Sequence, residues 1–313
     1  MTQLYGTLPS QVPTNADLGT MAFQDANAAK VVNITATGSL IGTVTPTSST
    51  FALLPAASIM TGQVYLVSDV GTHGSYWVSD GTVWQLVGGV TDLYQNGIPM
   101  CIPPSGTIAV TTGALTLGTA LDNTYPNIYM WFPAGAWTGS VAGMYYVSMS
   151  STTAGTVYSN SYAGGVATIP TTPTLVTAGA GAYTQTINVA TTLLSYTLPA
   201  NCMSSSGKLN ASYVFSAAST AGAKSFSPWS QFVSTPTSLF GTSTGISGMG
   251  TTVLVNLATN KQVTPNALGS GTGYQLLQTA VDTTAALLLT PKAQLAVATD
   301  WIVLHSMQYQ LNR

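Results

Sequence analysis

Lys208-Leu209-Asn210-Ala211-Ser212-Tyr213-Val214-Phe215 places an apolar side chain at every odd position. Successive side chains on a strand point to opposite faces, so this stretch reads as a half-buried strand with Leu209, Ala211, Tyr213 and Phe215 turned inward. The end of the chain repeats the pattern. Trp301, Val303, His305, Met307, Tyr309 and Leu311 share one face of a strand, and Ile302, Leu304, Ser306, Gln308, Gln310 and Asn312 share the other. A strand apolar on one side and mixed on the other suits a sheet covered by its own core and partly by a partner chain. Trp301, His305 and Tyr309 are therefore expected in the core or at an oligomer interface.

Outward from these two strands, short runs of β-formers are punctuated by Gly, Pro, Asn and Asp about every eight to twelve residues, the pattern of sandwiches and barrels. Gly143–Met149 and Gly155–Tyr158 read as neighbouring strands joined by a loop. Helical signals are confined to Asn15–Ala29, where Asn15 or Asp17 can cap a turn or two. In Tyr76-Trp77-Val78-Ser79-Asp80-Gly81-Thr82-Val83-Trp84-Gln85 the Asp-Gly pair is a two-residue hairpin signal, which sets Val78 opposite Val83 and Trp77 opposite Trp84. The fold expected is all-β: an extended leader over residues 1–50, a small β-hairpin unit over 51–95, a first β-sandwich domain over 96–178 and a jelly-roll-like domain over 179–313.

Composition limits what such a chain can do. Its 313 residues carry six basic and eight acidic side chains, and none of the acids is Glu. Repulsion between surface charges is what ordinarily keeps a domain apart from its neighbours, so this surface is suited to being locked into an assembly. A hydrophobic fraction of 45% with 15 Tyr and 6 Trp argues against disorder. The scattered cations build no basic patch, so neither nucleic acid nor anionic lipid is an expected partner. No apolar run reaches the length of a membrane span, and the start lacks the basic and apolar regions of a secretory signal, which points to assembly in the cytoplasm. Cys101 and Cys202 are expected as two buried free thiols.

Catalytic patterns are weak. Gly241-Thr242-Ser243-Thr244-Gly245, followed by Asp282 and His305, has the residue order of a nucleophile elbow and its partners, but it lies in a Ser/Gly/Thr tract of a β-domain and reads as a loop. Asp69, His73 and Asp80 lie close in sequence, yet turn capping accounts for both acids. Gly269-Ser270-Gly271-Thr272-Gly273 lacks the Lys and the helix of a phosphate loop. No catalytic, cofactor or metal residue is expected. Trp131, Trp137 and Trp229 are expected in cores rather than stacked on sugars.

The leader Leu8-Pro9-Ser10-Gln11-Val12-Pro13-Thr14-Asn15-Ala16-Asp17-Leu18-Gly19-Thr20-Met21-Ala22-Phe23 resembles that of fibre and decoration proteins of tailed bacteriophages. Gly97-Ile98-Pro99, Trp131-Phe132-Pro133-Ala134-Gly135-Ala136-Trp137, Leu198-Pro199-Ala200-Asn201-Cys202-Met203 and the ending from Asp300 to Leu311 are similar to β-modules of the same appendages. The resemblance implies a homotrimeric virion protein without enzymatic activity, a tail or head fibre. Its leader, through Leu18, Met21 and Phe23, would dock on capsid, portal or tail components, and its β-domain would face a host glycan or protein. The alternatives are a capsid cement protein and a polysaccharide-degrading spike.

Overall fold

The computed structural model describes residues 47–70, 74–87, 90–109, 112–177, 181–203, 207–228, 247–258, 261–266, 275–279 and 281–312. Leu18, Met21, Phe23, the expected helix at Asn15–Ala29, His73, Trp229, Ser243 and the Gly269–Gly273 stretch lie outside them. The described chain is all-β, with two 3-10 turns at Phe51–Leu53 and Ala57–Ile59 and no α-helix among the described residues.

Among the described residues one sheet of thirteen strands dominates, and the strand Ile302–Asn312 lies inside it. Lys208–Ala217 pairs along one edge of that strand. Two strands share the other edge, Val90–Asn96 beside Met307–Asn312 and Met100–Ile102 beside Ile302–Leu304. From Met100–Ile102 the sheet continues through a parallel pairing with Ile128–Phe132, then Gly143–Met149, Ala154–Ser161 and Ala114–Leu117. From Lys208–Ala217 it continues to Ser247–Ala258, Lys261–Asn266 and Gln275–Thr279. The sheet thus crosses the expected divisions at 95 and 178 without a break, and Pro46–Arg313 forms one compact unit.

Two cores lie against this sheet. In Ile128–Phe132, Ile128, Met130 and Phe132 join one cluster with Trp137, Tyr145 and Val147. Tyr129 joins the other, with Met144 and Tyr146. Burial on both faces explains why these strands read as nearly continuous apolar runs. Leu209, Ala211, Tyr213 and Phe215 are all buried, as their alternation requires. Both cysteines are buried, and burial pushes the Cys101 thiol well above its usual range, with Asp122 adding to the effect.

The last strand departs from the expected single apolar face. Val214 pairs with Ser306 but Phe215 pairs with Leu304, so His305 is an extra residue, a β-bulge. The bulge exchanges the faces. Met307, Tyr309 and Leu311 share a cluster with Ile302 and Leu304, whereas Trp301 and Val303 enter the other cluster. Double coverage of the first half therefore comes from the chain's own second core.

The hairpin forms with a different register. Trp77 faces Leu86, Val78 faces Gln85 and Ser79 faces Trp84, so the loop has four residues and the tryptophans are not opposite each other. A two-residue turn needs positive φ at both central positions, and here Gly81 has φ +90° while Asp80 does not. Instead the Asp80 carboxylate accepts the N–H groups of Thr82 at 2.7 Å and Val83 at 2.8 Å. A bond from the Gln85 amide, together with these two, holds the Asp80 carboxyl at about 2. Trp77 is fully buried, edge-on to Phe51 at 4.6 Å. Trp84 instead packs edge-on to Tyr65 at 5.3 Å.

Candidate functional site

Most of the described acids serve the fold. Asp69 accepts the Phe51 N–H at 2.7 Å, and Asp282 accepts both the N–H and the hydroxyl of Thr284. Among the described residues no group of three His, Cys, Asp or Glu is placed to hold a metal, and no helix is long and apolar enough to cross a membrane.

Histidine, carboxylate and hydroxyl do meet at the bulge. His305 Nε2 lies 2.8 Å from Ser216 Oγ and 3.9 Å from Asp122 Oδ2, and Tyr125 donates its hydroxyl to Asp122 Oδ1 at 2.6 Å. A serine–histidine–aspartate triad needs the acid on the ring nitrogen away from the serine. Here both partners address one nitrogen, and Ser216 is only 2% exposed, so the group acts as a clasp joining the bulge to the Asp122 loop. Trp301 and Tyr309 are likewise core residues. The Trp301 indole donates to Ala120 O at 2.9 Å, and the Tyr309 hydroxyl donates to Pro228 O at 2.5 Å.

Burial lowers the His305 pKa, with Asp122 opposing that shift. The unfolded chain then binds more protons than the folded one over an interval just below the ordinary histidine value, so this contribution to stability is present at neutral pH and lost on acidification. We expect melting temperature to fall between about pH 7 and about pH 5, and the fall to shrink in His305→Gln. An unchanged slope in the variant would assign the effect to other groups.

An uncovered feature lies on the sheet itself. The second core covers the half built on Met100–Ile102 and Ile128–Phe132 but stops short of the half built on Lys208–Ala217. There Val214 pairs with Met249 and Ser306, and Ser212 with Thr251 and Gln308. Met249 is 84% exposed and Val214 38%. These side chains border a shallow groove of about 320 Å³. On the neighbouring strand, Asp92 accepts from the amides of Gln308 at 3.1 Å and Gln310 at 2.8 Å. The groove is lined by hydroxyl, amide and apolar groups and by no charged side chain, the depletion of charge found at the centre of protein interfaces. Of the three residues expected in the core or at an interface, Trp301 and Tyr309 are buried and His305 is partly exposed, while Val214, Ser212, Met249 and Gln308 line the open groove. Their signal was the polar half of the same alternation that marked the core.

Trp137 is buried against Phe132 and Tyr145. Trp131 is partly buried and packs against the core.

No family model matches the chain, and no curated protein matches it. A solved structure described as that of infectious bursal disease virus, Gx strain, is similar over 77% of this chain and 65% of that one, at 12% identity and a TM-score of 0.20. The match spans under two thirds of that chain's length, and at this TM-score it establishes neither fold nor family.

Proposed function

We propose that the chain is a non-enzymatic structural subunit of a tailed-bacteriophage particle, a trimeric tail or head fibre that displays a surface-binding β-domain. The observation that supports this reading is the open groove around Val214, Ser212 and Met249, lined by no charged side chain, on a chain with so few charges in all. A solvent-facing sheet ordinarily carries Lys and Glu, which oppose pairing with other chains. The strand that ends the sheet, Gln275–Thr279, contains neither charge nor proline. Self-association covers such a face, whereas a subunit that stays single gains nothing from leaving it bare. The threefold number and the virion setting come from the sequence resemblance. Peptide mass spectrometry of density-purified tailed particles encoded with this sequence is expected to find the chain at fixed stoichiometry. Its absence from particles, with the chain free in the lysate, would overturn the reading.

A further inference from the structure

Beside Trp131 the loops that cover the first half of the sheet leave an open cleft of about 420 Å³, within the size range of small-ligand sites. Trp131 and Met144 stand opposite each other on neighbouring strands, and both line it. Tyr162 and Gly164 border it from one loop, and Thr192, in the short strand Thr191–Thr192, and Ser195, in the loop after it, from another side. The two loops are fixed to each other. The Tyr162 hydroxyl donates to Gly165 O at 2.5 Å and accepts the Ser195 N–H at 3.2 Å. The Tyr162 ring rests edge-on against Tyr129 at 5.9 Å. Binding therefore costs little ordering of the walls.

The lining decides what fits. No Asp, Lys, Arg or His borders the cleft, so a carboxylate, sulfate or phosphate would lose its hydration without gaining a counter-charge. Aromatic rings beside hydroxyl groups match a molecule with an apolar face and a rim of hydroxyls. We propose that this cleft is a subsite for an uncharged oligosaccharide, with the accessible part of the Trp131 indole against the C–H face of a pyranose ring and the Thr192 and Ser195 side chains at its hydroxyls. The proposal rests on the reading of the β-domain as surface-binding and gives that surface a ligand class.

The test is a glycan array on the full chain, followed by calorimetric titration with the best-binding neutral trisaccharide and with sialyllactose as the anionic comparison. Neutral binding is expected, and Trp131→Ala is expected to weaken it about tenfold or more. Thr192→Arg, at an exposed position, is expected to block the cleft while near-ultraviolet circular dichroism stays native, which separates loss of the site from loss of the fold. No neutral glycan bound, binding that survives Thr192→Arg, or tighter binding of sialyllactose would each overturn the proposal. The same preparations, scored for incorporation into particles, keep the two readings apart. Incorporation without sugar binding retires the cleft alone, and sugar binding without incorporation retires the virion role alone.

Discussion

Asp300→Ala is expected to destabilise the chain by about 3–5 kcal/mol, a large part of the total stability of an ordinary domain. Asp300 and Lys224 are two of the few charged residues, and they are 0% and 2% exposed, with Lys224 Nζ 2.9 Å from Asp300 Oδ2. The ammonium also donates to Gly222 O at 2.8 Å and Thr220 Oγ1 at 2.9 Å, and the Thr220 hydroxyl donates to Asp300 Oδ1 at 2.7 Å. The pair joins the turn after Lys208–Ala217 to the turn that starts the last strand, and so fixes the meeting of the two central strands. Removing the acid leaves a buried cation, and a buried charge without a counter-charge costs more than the pair ever contributed. Denaturant unfolding of Asp300→Ala, Lys224→Met and the double variant Lys224→Met/Asp300→Leu tests this. Each single change is expected to cost several times what the double change costs. Single variants within about 1 kcal/mol of the parent would show that water reaches the pair.

The second large effect is on association. Met249→Lys places a cation in the middle of the open face at a position already 84% exposed, so the isolated fold should tolerate it. In a self-associated state covering that face, the same cation is desolvated and repeated in each copy, which costs several kcal/mol, roughly a hundredfold or more in association. Light scattering coupled to gel filtration is expected to show the variant at the mass of a single chain with an unchanged circular dichroism spectrum. Val141→Lys, 68% exposed outside this face, is expected to leave the mass unaltered. An equal loss of mass in both variants would remove the face from the account.

The fold was legible where one physical signal sufficed. Alternation in Lys208–Phe215 gave the buried set correctly, because a half-covered sheet imposes a period of two on side-chain burial. The last strand resisted the same treatment. An alternating strand carries no mark of an inserted residue until its partner is known, and the pairing of Val214 with Ser306 and Phe215 with Leu304 is what exposes the bulge at His305. Asp80-Gly81 likewise located the turn but not its length, since the Asp80 carboxylate can cap two N–H groups and so close a longer loop. The expected division at 178 is not a boundary, because strands on both sides of it enter one sheet. The open face was the least legible. A row of Asn, Ser, Thr and Gln reads identically whether it meets water or another copy, and only the extent of the second core shows which half of the sheet is left bare.

Self-association is the central claim, and the mass of the full chain in solution tests it most directly. Multi-angle light scattering at micromolar concentration and moderate salt is expected to give about three times the single-chain mass of 32.2 kDa. A mass of 32.2 kDa that persists as concentration is raised would contradict the account.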